Sequence, residues 1–211
     1  MFEIVSTSKQ QKEFELTWEY YCKKYGWVND PYAKNGVRYI ITTPKSLLKK
    51  SKVIGTIEFI PYHPNNPDST VQKGADFSQY KEIYYHQNEV WEIDKLCLHE
   101  DYQRKGYFHL FFHIFLEHVK KHNPMYYIAL MENRFYRMMR ISYGFRIEQK
   151  EKPLVGPNGM SLVPIAVDVD KIRKDKGKLE ELLRLQLPDL YKNSQKKQGY
   201  YYTFIKKFVK F

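Results

Sequence analysis

Apolar residues recur along the chain with two different periods, and the places where the period changes mark its elements. Between residues 8 and 25, Phe14, Trp18, Tyr21 and Cys22 fall at helical spacing, Ser8 is of N-cap type and Gly26 ends the run, so an amphipathic helix is predicted there. Turn-forming pairs follow at Asp30-Pro31 and Asn35-Gly36. Two strands come next, residues 37–42 and 52–61, joined by a lysine-rich connection. In the second, Ile57, Phe59 and Pro61 share one face while Glu58 and Ile60 take the other. Residues 62–88 carry Pro, Asn, Asp and Ser with little periodicity. They read as a long loop with one helical turn near Phe77 to Ile83, and such a loop ahead of a buried strand is a candidate substrate lid.

The centre of the pattern is residues 89–118. Val90 to Leu98 reads as a buried strand, a polar turn follows, and from about Gly106 to Val119 a helix is apolar on most faces through Phe108, Leu110, Phe111, Phe112, Ile114, Phe115 and Leu116. A helix of that kind packs deep in the domain, so its N-terminus is aimed rigidly by the fold. Asn123-Pro124 stops it. Residues 125–131 form another strand, and 133–143 a helix with Phe135, Met138, Met139 and Ile141 on its apolar side. Gly144 closes that helix, Phe145 opens the next strand, residues 156–159 make a Gly-Pro-Asn-Gly turn, and 163–169 is the last β-prone run.

This order predicts an α+β, layered domain, with a central mixed, mostly antiparallel twisted sheet and helices on both faces. The core is expected to end near Asp170. Residues 1–170 then form one domain, and 171–211 a basic, aromatic extension that either packs on it or docks to something anionic. Within the extension, Leu179, Leu182, Leu183 and Leu187 make a helical stripe that Pro188 breaks.

Composition narrows the partners. The 211 residues carry a net charge of +11 and a pI of about 9.4, and 17% are aromatic. Nucleic acid, anionic lipid, an acidic protein or a phosphorylated cofactor all suit that charge. Cys22 and Cys97 have no metal-like spacing, and His109 and His113, four apart on a helix face, lack a third ligand, so no metal site is expected. The N-terminus is polar and mixed in charge, and no run approaches the ~18 apolar residues of a membrane span. A cytoplasmic protein is the expectation.

Chemistry concentrates at the central strand and its turn. Residues Gln103, Arg104, Lys105, Gly106, Tyr107 and Phe108 bring backbone N–H groups and two cations to the N-terminal end of the long helix, a corner suited to a diphosphate. On the strand, Glu92 and Asp94 share a face if the alternation is regular. From the residues alone, Glu92 reads as a strand carboxylate that pairs with Lys95 or Lys105.

These residues carry a resemblance. The order of strand, Gln-Arg-Lys-Gly turn, long helix, strand and Asn-to-Gly-Phe helix resembles the GNAT superfamily of acyl-CoA N-acyltransferases. Of that family's Arg/Gln-x-x-Gly-x-Gly/Ala turn, Gln103 and Gly106 match and Phe108 departs. Asn133, with Gly144 eleven residues on and Phe145 after it, has the family spacing, while Arg140 stands where many members carry a Tyr acid. A narrower likeness, through Tyr25-Gly26-Trp27, the run from Trp91 to Leu96, and Gly144, Gly156, Pro164 and Asp168, is to the branch of N-acyl amino acid synthases and acyl-homoserine-lactone synthases. Glu92 matches that branch's Glu, and Lys95 replaces its Arg.

The resemblance implies transfer of an acyl group from acetyl-CoA, a longer acyl-CoA or an acyl carrier protein to a small amine or amino acid. The thioester carbonyl would be polarised by backbone N–H groups of Leu96, Cys97 and Leu98, and the diphosphate would rest on residues 103–108, with Asn133 completing the cofactor site. Glu92 would be the general base, with Asp94 in reserve and Glu58 orienting the acceptor. Tyr143 or Tyr136 would protonate the leaving thiolate. Two alternatives stay open: a GNAT domain that binds CoA without turnover, suggested by Arg140 and Phe108, and a basic nucleic-acid-binding protein.

Overall fold

The computed structural model describes residues 1–45, 50–67, 69–143 and 147–186. In chain order the elements are β1 (Phe2–Ile4), α1 (Ser8–Tyr25), β2 (Val37–Thr42), β3 (Val53–Pro61), α2 (Thr70–Gly74), α3 (Lys81–Tyr85), β4 (Val90–Leu98), α4 (His109–His122), β5 (Tyr126–Glu132), α5 (Asn133–Tyr143), β6 (Ile147–Gln149), β7 (Leu154–Val155), β8 (Ser161–Asp168), α6 (Val169–Lys174) and α7 (Lys176–Gln186). The strands form one mixed sheet in the order β1-β2-β3-β4-β5-β8-β6, with β7 also on β8. Among the described residues only β4 and β5 run parallel; the remaining pairings are antiparallel.

Helix α1 spans the predicted residues, but its N-cap is Thr7 rather than Ser8. The Thr7 hydroxyl accepts from the Gln10 N–H, and the Gln10 side chain reaches back to the cap. Gly26, at φ 65°, closes the helix in the left-handed conformation that glycine takes without penalty. Phe14, Trp18, Tyr21 and Cys22 face inward as the spacing predicts.

Alternation along β4 divides the domain into two sides. Trp91 and Ile93 point toward α4 and the main apolar cluster, which also holds Phe59, Phe111, Ile114, Tyr127, Leu179 and Leu183. Val90 points the other way, into a cluster under the segment between β3 and β4. That segment is not the long loop expected. It folds into α2, α3 and two 3-10 turns that bury Val71, Ala75, Phe77 and Ile83 against the sheet. Its anchors exclude a loose lid: Tyr80 donates to the Lys150 carbonyl at 3.0 Å, and Glu82 pairs with Lys150 at 2.6 Å. The main cluster also continues past Asp170, through Val169 into α7. Gly144, Phe145, Leu187 and Pro188 lie outside the described residues.

Candidate active site

Strands β4 and β5 pair only where Val90, Trp91 and Glu92 face Tyr126, Tyr127 and Ile128. Beyond that point β5 runs on beside β8, while β4 keeps β3 on one edge and, among the described residues, has no strand on the other. A bulge coincides with the divergence. Lys95 sits at φ 48°, and the register with β3 slips so that Asp94 faces Glu58 but Cys97 faces Thr56. An extra residue of this kind bends a strand and re-aims its side chains. The Thr56 hydroxyl holds it by donating to the Lys95 carbonyl at 2.7 Å. In the wedge between the strands, on the α4 side, lies a cavity of about 150 Å³, lined by Ile93 and Leu96 of β4, Tyr127 and Met131 of β5, and rings of α4.

The turn after β4 lies beside the open end of this wedge. Gln103 is tied down by its amide, which donates to the Leu98 carbonyl at 2.9 Å, and Gln103, Arg104, Lys105 and Gly106 are exposed. Helix α4 begins at His109, three residues later than its composition suggests. Arg104 at φ 59° and Gly106 at φ 82° hold the turn in left-handed conformations that no helix can continue. No side chain caps the α4 N-terminus, the Leu110 and Phe111 N–H groups donate to the Tyr107 and Phe108 carbonyls at 3.1 Å, and two exposed cations, Arg104 and Lys105, stand beside this positive end of the helix. Tyr107 packs edge-on against Tyr102, and Phe108 turns inward against Phe111, Phe112 and Phe135. Phe108 therefore walls the cavity, and of the six turn residues expected to face a diphosphate the outward ones are Gln103 to Gly106.

The opposite side of β4 carries the charged groups. Glu92 is fully buried, and its Oε1 accepts from the Ser69 hydroxyl at 2.7 Å. Burial pushes its pKa up to about 7, partly offset by the Ser69 hydrogen bond. The pairing of Glu92 with Lys95 or Lys105 is not found. Lys95 is 2% exposed and bridges Glu58 at 3.1 Å and Asp94 at 2.7 Å, because the bulge turns it to the same side as Asp94. Glu58, also fully buried, takes a second cation in Arg38 at 2.7 Å. Desolvation still raises the Glu58 pKa, with Lys95 and then Arg38 opposing it. Gly36 makes room for this group, since a Cβ there would stand 2.3 Å from Glu58 Oε1. Asp94 does share a side with Glu92, but its carboxylate is engaged by the Lys95 ammonium and N–H.

The remaining predicted residues fall on either side of this line. Cys97 is buried with Sγ 3.0 Å from Thr56 Oγ1, and burial pushes its thiol up to about 12. Asn133 opens α5, and Tyr136 is buried on that helix, its hydroxyl accepting from Arg140 at 3.3 Å. Tyr143 ends α5; its side chain is outside the described residues. Among the described residues no three His, Cys, Asp or Glu side chains gather as a metal site, and no helix is long and apolar enough to cross a membrane.

Two polar groups escaped sequence reasoning. His118, read only as part of an apolar helix, is fully buried, bonded through Nδ1 to the Tyr127 hydroxyl at 2.8 Å and stacked on Phe59. Arg173, hidden in a basic run that reads as solvated, lines the cavity. Neither carries a sequence signal beyond its place in a helix.

No protein-family model matches the chain, and no curated protein matches it in sequence. Solved structures do match. A CoA-dependent acyl-homoserine lactone synthase, BjaI, solved with SAM and isopentyl-CoA, superposes with a TM-score of 0.60 at 13% identity, covering 88% of this chain and 89% of that one. A second CoA-dependent acyl-homoserine lactone synthase, MesI, gives 0.57 at 11% identity over 88% and 95%. FeeM, an N-acyl amino acid synthase from uncultured soil microbes, gives 0.56 at 10% identity over 82% and 94%. With the strand order and the β4/β5 wedge, these likenesses show that the chain has the GNAT-like fold of those synthases.

Proposed function

We propose that the chain is an N-acyltransferase that passes an acyl group from a thioester, an acyl-CoA or an acyl carrier protein, to a small amine or amino acid by direct attack. The observation that carries this reading is the wedge. One open strand edge, one apolar cavity beneath it and one exposed basic turn at an uncapped helix N-terminus meet in the order that an acyl chain, a pantetheine arm and a diphosphate require. The arm lies along Ile93 to Leu98 as an added strand, and an N–H of the Leu96 to Leu98 segment polarises the carbonyl. The acyl chain enters the cavity, which suits a chain longer than acetyl. The names of the superposed synthases, which include a CoA-dependent enzyme solved with an acyl-CoA, support donor and acceptor classes of this kind.

Glu92 is the general base of this proposal. A carboxyl with a pKa of about 7 is matched to proton transfer near neutral pH, and it is the strand carboxylate not held by a lysine. Ser69 covers it, so the amine proton reaches it through that hydroxyl or a water beside it. Asp94 and Glu58, tied to Lys95, set the charge of the acceptor side, and Tyr143 remains our candidate for protonating the thiolate.

Thermal denaturation with acyl-CoA, free CoA and an oligonucleotide tests the reading, followed by assay of thiol release with a panel of amino acids. A ligand at a hundredfold excess over its Kd adds ~2.7 kcal/mol of stability, which is readily seen. Stabilisation by the oligonucleotide alone would overturn it. The exposed Arg140 of α5, at the position of a family acid, favours a second reading as a CoA-binding domain without turnover. Stabilisation by CoA without thiol release with any amine identifies that case.

A further inference from the structure

We propose that Lys95 is a positioning residue for acyl transfer: clamped at the bulge of β4, it turns the Leu96 N–H onto the open strand edge against which the thioester carbonyl lies. The proposal rests on the thioester reading above and adds to it a residue whose ammonium does not touch the donor.

Hydrogen bonds show which way the backbone of β4 faces. The Tyr62 N–H donates to the Val90 carbonyl and the Met125 N–H to the Glu89 carbonyl, so in the first half of the strand Val90, Glu92 and Asp94 turn to β3, and Trp91 and Ile93 to β5. Past the bulge the parity is reversed. The His99 N–H donates to the Ile54 carbonyl, which puts Cys97 and His99 on the β3 edge, while the Leu98 carbonyl accepts from Gln103 on the other. Leu96 is therefore the next residue after Ile93 whose N–H faces the edge that β5 has left. A regular strand would turn that N–H to β3 and the Leu96 side chain out of the cavity that it lines.

The reversal needs one residue in an unfavourable conformation. Lys95 adopts it at φ 48°, a left-handed geometry that costs free energy in any residue with a Cβ. Its polar groups are all engaged in holding it there. The N–H donates to Asp94 Oδ1 at 2.7 Å, and the ammonium, 2% exposed, meets Asp94 Oδ2 at 2.7 Å, Glu58 at 3.1 Å and the Pro31 carbonyl at 3.4 Å. Burial works against the ammonium, yet Asp94 and then Glu58 outweigh it and raise its pKa, so the clamp stays charged. The carbonyl accepts from the Thr56 hydroxyl at 2.7 Å on the β3 side. A trans peptide points its C=O and N–H in opposite directions, so fixing the Lys95 carbonyl toward β3 aims the Leu96 N–H at the open edge. Strain of this kind persists where the surroundings over-determine it, as they do here, and it serves to fix one backbone donor in advance of the reaction.

The test uses the full chain and hexanoyl-CoA isotope-labelled at the thioester carbonyl, with Kd from calorimetry and the carbonyl stretch from difference infrared spectra. Bound to the wild-type protein, the stretch should move to lower frequency than in water. In Lys95→Ala that shift should vanish and thiol release should fall about a hundredfold, while Kd changes less than about threefold. Lys95→Gly loses the same ion pairs but takes φ 48° without penalty, so it should keep the shift and release thiol about tenfold faster than Lys95→Ala. Thr56→Val, which frees the Lys95 carbonyl and leaves the ammonium clamped, should lose part of the shift. An unshifted carbonyl in the bound wild-type complex, a measurement that needs no variant, overturns the positioning role and leaves the thioester reading intact. Equal losses in Lys95→Ala and Lys95→Gly overturn it as well, because the ammonium would then act by itself. Failure of hexanoyl-CoA to bind overturns the thioester reading and the positioning role together.

Discussion

Lys95 of β4 and Glu58 of β3 are paired at 3.1 Å with both side chains sealed from water, and the pair exists because a bulge turns Lys95 to the side that a regular strand would deny it. Removing one member strands the other. Lys95→Met should lower stability by about 3 kcal/mol, since Glu58 keeps only Arg38. Urea denaturation of Lys95→Met, Glu58→Gln and the double variant checks this. Losses that merely add would show that the two groups do not act as a unit.

Glu92 gives a stability term with a definite sign. Its folded pKa of about 7 exceeds the ordinary 4.5, so the fold favours the protonated form. That contribution is fully present below pH 4.5 and is lost as pH rises from 4.5 to 7, by on the order of 3 kcal/mol. Glu92→Gln should therefore gain stability relative to wild type across that window, with no relative change below it. Under the proposed mechanism it should also lose the rise in kcat/KM through pH 7. Full turnover at neutral pH in Glu92→Gln would remove it as the base.

His118 pulls the other way. Burial, with help from His122 and Lys121, holds its pKa at about 3 against an ordinary 6.5. The groups facing it are Tyr127, Trp91, His122 and Phe59, none a carboxylate. The fold favours neutral imidazole, so stability falls as pH drops from 6.5 toward 3, by about 2 kcal/mol between pH 6.5 and 5. His118→Phe should forfeit about 1 kcal/mol at neutral pH, for the lost Tyr127 bond, yet flatten the acid decline in Tm. An unchanged acid limb would place its origin elsewhere.

Elements whose polar and apolar positions keep one period were legible in the sequence. Both β4 and α5 lie where Val90 to Leu98 and Asn133 to Tyr143 predict, and the inward residues of α1 follow from spacing alone. Residues 62–88 were opaque for a physical reason: five-residue helices are too short to show a period, and their burial rests on single anchors such as Val71 and Ile83. The geometry of the candidate site was half visible. The basic turn and Glu92 could be read, but Lys95 could not be placed, because alternation assumes a strand without a bulge. Arg173 could not be read either, because charge in a basic run gives no sign of burial.

Under the proposed function the basic turn makes a separable contribution. Arg104 and Lys105 are exposed beside the uncapped end of α4, so an Arg104→Ser, Lys105→Ser double variant should weaken binding of CoA thioesters about tenfold and flatten its salt dependence. A pantetheine thioester of the same acyl group, which lacks the diphosphate, should bind both proteins equally. Equal loss for both ligands would mean that the turn acts through folding instead.

The cavity sets the last expectation. Phe112 lines it from α4 and packs edge-on against Phe108, so Phe112→Ala opens space toward the helix side without touching β4 or the charged cluster. Truncating a phenylalanine in a core costs about 3 kcal/mol, which the full chain should survive at reduced Tm. The gain appears in specificity. Under the proposed function the acyl length of tightest binding should lengthen by two carbons or more, while the Kd of free CoA stays fixed, because the diphosphate would rest at the other end of the arm. A chain-length profile that does not move, read beside an unchanged Kd for CoA, would mean that the acyl group leaves the wedge by another route.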